Sequence, residues 1–295
     1  MHLFPEFVRL KRGSLSIFSH RALTEGVTLK LLLNPDLSFG LANCRIIKDQ
    51  LKIKVARVKI EIRGELREVY IKRYNAFSWR YRLGSLFRSS GAAKSLRGAA
   101  ILAELGIRTA TPLAVVESRP WGMLSQSFYL SEEIEKGETA DVYWRDALSA
   151  FPGAIGFLRR HRFLDRLGKL FSLLHQNRIY HNDLKDANII VSCDERENES
   201  FHLLDLEGVR VVWPLTIRRR IKNLVQLNRT FGKYLSTAQR LYLLKSYLGA
   251  DFFNRDKKRF WVRKIIKQTQ RGDEKSLRKM RRKPLGFKET TVACK

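Results

Sequence analysis

Three side chains that could do chemistry stand close together in this chain: Asp183, Lys185 and Asn188. A second acid, Asp205, follows the apolar run Phe201-His202-Leu203-Leu204, which reads as a short buried strand. Far upstream, Lys72 follows Val69-Tyr70-Ile71. A carboxylate such as Asp183 can accept or orient the proton of an attacking hydroxyl. Asn188 and Asp205 offer hard oxygen ligands, which suit Mg²⁺. Lys185 and Lys72 can meet phosphate oxygens. Such a set fits transfer of a phosphoryl group, which needs positioning and charge neutralisation more than covalent help. His181 fits a bracing role in the loop better than a reactive one.

These side chains need rigid elements on either side. Ile189-Ile190-Val191 supplies one apolar strand after Asn188, and the run before Asp205 supplies another. From about Ala42 the pattern is β. Ile53 and Val55 alternate, the phase slips, and Val58, Ile60 and Ile62 alternate, which predicts a bulge or bend near Ala56-Arg57. Arg63-Gly64-Glu65 predicts a turn. In the strand from Val69 to Tyr74, period-two alternation sets Tyr70, Lys72 and Tyr74 on one face. A lone strand lysine would read as solvated; the downstream acids favour a phosphate contact for Lys72.

A helix is expected from Ala92 to Leu105, with Leu96, Ala99, Ala100 and Ala103 on one face and Gly106 as its stop. Thr111 to Val116 and Ser127 to Ile134 read as strands. Phe163, Leu167, Leu170, Phe171 and Leu174 define an amphipathic helix, and Leu215 to Leu248 two more. The first forty residues hold strand or short-helix candidates at Leu15–Phe18 and Val27–Leu33, and extend the β-rich part. His175 reads as a core or helix-end histidine.

The 44% apolar and 11% aromatic content of the 295 residues belongs to a folded chain. The net charge of +28 implies an anionic partner: nucleic acid, an anionic lipid surface or a phosphorylated glycolipid. No nucleic-acid recognition motif is present, which disfavours the first. Cys44, Cys193 and Cys294 are widely spaced, so neither a zinc site nor a disulfide framework follows, and a reducing cytosol is the simpler setting. No signal peptide is evident, and no stretch approaches the ~18 apolar residues of a membrane span.

His181-Asn182-Asp183-Leu184-Lys185-Asp186-Ala187-Asn188 resembles the H-x-D-L-x-x-x-N catalytic loop of protein kinases. Asp205-Leu206-Glu207 falls where kinases carry D-F-G, and Val69-Tyr70-Ile71-Lys72 where they carry V-A-I-K. With Leu105-Gly106-Ile107-Arg108-Thr109-Ala110-Thr111-Pro112-Leu113-Ala114 added, the chain from about Ile46 to Leu248 resembles the lipopolysaccharide core kinases. These phosphorylate heptose or Kdo sugars of bacterial lipopolysaccharide. No A-P-E triplet follows Glu207, and Asn182 replaces the usual arginine, which argues against control by a phosphorylated loop.

The resemblance implies an α+β, bilobal protein-kinase-like fold: a β-rich N-terminal lobe over residues 1–134 and an α-helical C-terminal lobe over residues 135–295, ending in a basic tail. It implies ATP as donor and Mg²⁺ as cofactor. Asp183 is expected as catalytic base with Lys185 at the transferring phosphate, Lys72 at the other phosphates, and Asn188 and Asp205 at metal. Backbone groups at Glu132 and Ile134 would meet adenine. For Glu207, metal contact and a structural role stand level.

The acceptor would be an inner-core sugar of a lipid-anchored, polyanionic glycolipid, met by peripheral contact at the cytoplasmic face of the inner membrane. Two departures mark the chain. The turn Lys48-Asp49-Gln50-Leu51-Lys52 has no glycine where G-x-G-x-x-G would cover the phosphates. The expected helix reads Lys94-Ser95-Leu96-Arg97-Gly98, so the partner of Lys72 is Glu104, an acid outside the helix, or none. They leave two other readings open: a kinase of this fold with another acceptor, and a pseudokinase that binds a nucleotide or an anionic surface.

Overall fold

The computed structural model describes residues 4–195 and 198–281. It is a mixed α and β protein with a seven-stranded antiparallel sheet and a helical body. The chain enters as the hairpin β1 (Phe7–Arg12) and β2 (Leu15–His20), then forms α1 (Gly26–Leu33). Leu15–Phe18 is therefore strand and Val27–Leu33 helix. Next come β3 (Arg45–Asp49), β4 (Ile53–Ile62) and β5 (Glu65–Asn75). After α2 (Trp79–Gly84), α3 (Gly91–Ala103) and the short β6 (Arg108–Thr109), the sheet resumes with β7 (Pro112–Ser118) and β8 (Gln126–Glu132). Its order is β1-β2-β7-β8-β5-β4-β3.

β4 and β5 are joined by the two residues Arg63 and Gly64, both at positive φ (55° and 82°). That geometry matches the twist of antiparallel strands, and glycine adopts it without a Cβ penalty. The expected bulge near Ala56-Arg57 is absent. β4 pairs with β5 in unbroken register from Ile53 to Ile62, and the irregularity lies between β3 and β4, at Ile46 and Lys48. The change of phase has another cause. Ala56, Val58, Ile60 and Ile62 face the core beneath the sheet, while Ile53 and Val55 on the opposite face line a cleft. The apolar positions therefore change face along β4, from the cleft side at Ile53 and Val55 to the core side from Ala56 onward.

α3 also differs from expectation. Its buried stripe is Ala92, Ser95, Gly98, Ala99 and Leu102, whereas Ala103 is exposed. Small residues let the helix approach closely: a Cβ at Gly98 would overlap the Leu206 carbonyl.

The helical body begins with β9 (Glu138–Thr139) and α4 (Ala140–Val142), which runs on into a wider π-type turn over Tyr143–Leu148. α5 (Gly153–Gln176) buries Phe163, Leu164, Leu167, Phe171 and Leu174 along one side, each worth roughly 2 kcal/mol of apolar transfer. β10 (Ile179–His181), β11 (Ile189–Cys193), β12 (Glu199–Leu203) and β13 (Val209–Val211) follow. β10 pairs with β13, and β6-β12-β11-β9 forms a second small sheet. α6 (Ile217–Thr230), α7 (Thr237–Leu248) and α8 (Arg255–Arg281) complete the body. Ser236 and Gln239 cap α7 reciprocally.

Two apolar clusters result. One lies between the sheet and α1, around Ile17, Leu32, Ile71 and Phe128. The larger runs from Tyr74 and Tyr129 on the other face of the sheet, through α3, into the helical body. Cys44 and Cys193 are free thiols; Cys294 and the basic tail beyond Arg281 lie outside the described residues. Among the described residues no helix is long and apolar enough to cross a membrane.

Candidate active site

The hairpin of β11 and β12 explains how two acids distant in sequence meet. Ile189 pairs with Leu203, so the loop before β11 and the residues after β12 emerge at the same end. Asp183, Lys185, Asn188 and Asp205 all line one cleft of about 430 Å³. Lys72, Glu132 and Ile134 line it from the sheet side. The structure thus brings together the seven residues that the sequence assigned to catalysis, nucleotide and metal.

Within the loop, Lys185 Nζ lies 2.7 Å from Asp183 Oδ2. Asn188 Nδ2 donates to the Asp183 carbonyl at 2.7 Å and reaches its carboxylate at 3.3 Å. Both Asn188 protons point inward, so its Oδ1 remains to meet a cation. His181 braces the loop from beneath. Its Nδ1 accepts from the Asp183 N–H at 3.1 Å, which leaves the proton on Nε2, donated to the Leu204 carbonyl at 2.8 Å. Burial pushes the His181 pKa down; the Leu204 carbonyl and the nearby acids oppose this only in part.

α6 holds the loop from the other side. Asn223 is fully buried and donates to the His181 carbonyl at 2.6 Å. Gln226 donates to the Asn182 carbonyl at 2.8 Å and accepts from the Leu184 N–H at 3.3 Å. His175 is a core histidine, held between Tyr247 and Asn223.

Lys72 Nζ lies 2.5 Å from Asp205 Oδ1. Burial raises the Asp205 pKa, but the charge and hydrogen bond of Lys72, aided by His181 and Lys185, outweigh it and hold the carboxyl below its ordinary value. Asp205 sits in the left-handed region (φ 57°, ψ 47°), a strained conformation that non-glycine residues keep mainly where a site demands it. Glu104 is exposed at the end of α3 and is not the partner of Lys72. The helix turns Ser95 toward the cleft instead, hydrogen-bonded to the Tyr74 hydroxyl at 2.9 Å. Among the described residues no three His, Cys, Asp or Glu side chains form a metal cage. One carboxylate and one amide oxygen suit an ion that takes most of its ligands from phosphates and water, as Mg²⁺ does.

At the far end of the cleft the Glu132 N–H is taken by the Thr111 carbonyl at 2.9 Å, and the Ile134 carbonyl accepts from Gly137 at 3.1 Å. Glu132 and Ile134 both line the cleft at this end. Arg57 bridges Glu68 and Glu133 just behind, at 2.8 and 2.7 Å.

With this geometry in view, the sequence profile of the lipopolysaccharide kinase (Kdo/WaaP) family matches residues 49–260. The chain belongs to this family. The chain also resembles a solved structure, "WaaP in complex with acyl carrier protein", at 18% identity and a TM-score of 0.58, over 81% of this chain and 95% of that one. At this identity the likeness speaks for the fold. No curated protein is significantly similar. Several residues of the kinase cleft escaped the sequence analysis: Ser95, Tyr129, Ser131 and Glu133. The period-two pattern of β8 could have yielded Tyr129 and Ser131; nothing in the local sequence marks Ser95.

Proposed function

We propose that this kinase transfers the γ-phosphoryl group of ATP to a hydroxyl of an inner-core sugar, heptose or Kdo, of lipopolysaccharide. The observation that carries this reading is the convergence of Lys72, Asp183, Lys185, Asn188 and Asp205 on one cleft, in a chain of the lipopolysaccharide kinase family. In this reading the sheet-bearing part (residues 1–134) and the helical part (residues 135–295) act as the two lobes of a protein-kinase-like fold.

Adenine would meet backbone groups at Glu132 and Ile134. Lys72 would leave Asp205 for the α- and β-phosphates. Asp205 and the Asn188 oxygen would hold Mg²⁺, which supplies neutralisation of phosphate charge when bound. Asp183 accepts or orients the proton of the sugar hydroxyl, and its bonds from Lys185 and Asn188 fix the carboxylate. Lys185, bonded to Asp183 here, would shift to the transferring phosphate. Lys48, near the end of β3 just before the glycine-free turn, adds a cation where backbone amides would otherwise cover the phosphates. The net charge of +28 suits a polyanionic acceptor, met from the cytoplasmic face of the inner membrane.

The test is incubation with Mg²⁺, γ-labelled ATP and a truncated, unphosphorylated core glycolipid, beside Asp183→Ala. Label in the glycolipid with the parent and none with the variant is expected. Nucleotide binding without transfer to this acceptor would sink the substrate assignment.

A further inference from the structure

An exposed aromatic surface flanks the cleft, and the mechanism does not use it. α2 has no buried residue. Through Phe77-Ser78-Trp79-Arg80-Tyr81-Arg82-Leu83-Gly84-Ser85-Leu86-Phe87-Arg88 the large apolar side chains stay in solvent, Trp79 at 67% exposure and Phe87 at 92%. Trp121, in the turn between β7 and β8, is also 92% exposed. Its backbone is left-handed (φ 52°, ψ 32°), which a bulky side chain rarely adopts. The fold thus holds a tryptophan outward against a local preference.

Direct contacts make these two segments one surface. Ser85 accepts from the Leu124 N–H through its hydroxyl at 2.8 Å, and from Arg119 through its carbonyl at 3.1 Å. The Leu86 side chain lies beside Gly122. At the other end Lys52 Nζ stands 4.7 Å over the Phe77 ring. Lys52 belongs to the β3–β4 turn, and Lys48 and Ile53 on either side of that turn line the cleft. The aromatic surface is therefore continuous with the cleft mouth.

A contiguous exposed apolar patch marks an interaction site. Charge identifies the occupant. No Asp or Glu occurs between Glu68 and Glu104, while Arg80, Arg82 and Arg88 punctuate the aromatics. Indole and phenyl rings at headgroup depth, with guanidinium groups reaching lipid phosphates, are the composition of a membrane–water interface.

We propose that Phe77–Arg88 and Trp121 seat the kinase on an anionic lipid bilayer, with the cleft mouth beside the membrane. The purpose of this seat rests on the proposed function, since a lipid-anchored acceptor reaches Asp183 most directly from there. The binding itself does not.

The test is sedimentation of the full chain with vesicles of phosphatidylcholine alone, or mixed with phosphatidylglycerol, without ATP or acceptor. The parent is expected to bind the mixed vesicles. The combined Trp79→Ser, Phe87→Ser and Trp121→Ser variant is expected to lose that binding by about tenfold or more, with thermal unfolding unchanged because all three side chains are exposed. A second variant, Arg80→Gln with Arg82→Gln and Arg88→Gln, is expected to lose the preference for phosphatidylglycerol. Equal binding by parent and aromatic variant, or no binding by the parent, overturns the proposal. No acceptor is present, so either result leaves the assignment of phosphoryl transfer where its own assay puts it.

Discussion

Lys72 and Asp205, which come from the sheet and from the segment after β12, meet at 2.5 Å inside the cleft. Each holds the charge the other needs, and the pair occupies the place where phosphates and a divalent ion would come. On the proposed function, nucleotide binding would exchange this ion pair for two others. Lys72→Ala is expected to lower kcat/KM by on the order of a hundredfold, through loss of electrostatic stabilisation of the phosphates. It also removes the main influence that keeps the Asp205 pKa low. Steady-state kinetics over a range of ATP concentrations would check it, and unchanged kcat/KM would exclude Lys72 from the phosphate site.

Gly98 makes a second joint, between α3 and the segment that carries the acid. A Cβ there would overlap the Leu206 carbonyl, one residue beyond Asp205. Backbone cannot step aside as a side chain can, so α3 must move outward or the Asp205 segment must shift. Gly98→Ala is expected to cost about 1–3 kcal/mol in urea unfolding, in spite of alanine's better helix propensity. Activity should fall beyond what the lost stability explains. A variant more stable than the parent would show that the approach of α3 is not constrained here.

Asn223 ties α6 to the catalytic loop. It is fully buried, donates to the His181 carbonyl at 2.6 Å and faces His175 Nε2 at 3.2 Å. Asn223→Leu keeps the approximate volume and takes a hydrogen bond away from both of these partners and from Gln226 Oε1. The expected loss is about 2–3 kcal/mol, read as a lower urea midpoint at unchanged slope. Because His181 positions the Asp183 N–H, kcat should fall while the KM for ATP stays near that of the parent. A fall in KM alone would point away from the loop.

The sequence carried the placement of the cleft residues better than it carried the packing. Asp183, Lys185, Asn188 and Asp205 were legible because each sits at a fixed offset from a short apolar strand, and β11 and β12 then pair as hairpin neighbours. Lys72 was legible through the alternation of β5, which sends Tyr70, Lys72 and Tyr74 into the cleft together. The bulge expected near Ala56 was not found, because periodicity reports which faces are apolar and not what covers them; Ile53 and Val55 meet the cleft. The buried face of α3 was misplaced for a related reason. Its buried stripe includes Ser95 and Gly98, which carry no hydrophobic signal. The partner of Lys72 was hidden because it comes from the far end of the chain's core rather than from the helix where an acid was sought.

The last prediction concerns acid. Burial, with the Arg220 charge against it, lowers the His175 pKa from its ordinary 6.5 to about 4, although Asn223 pulls the other way. In the unfolded chain the imidazole would titrate at its ordinary value. Between those two values the unfolded state binds a proton that the native state does not, so stability rises with pH across the window and levels off above it. The span corresponds to on the order of 3 kcal/mol when fully developed. Burial lowers the pKa of His181 and of His202 as well, which adds to the loss with the same sign. Asp205 contributes stability above the ordinary Asp value and loses it only as pH falls further, through its depressed native pKa. Urea unfolding at about pH 7.5 and about pH 4.5 should therefore show a marked drop at the lower value. His175→Gln can still bond to Tyr247 and Asn223 and has no proton to take up, so it should be less stable than the parent at neutral pH and lose less on acidification. An equal drop in parent and variant would remove His175 from the account and leave the other histidines to explain it.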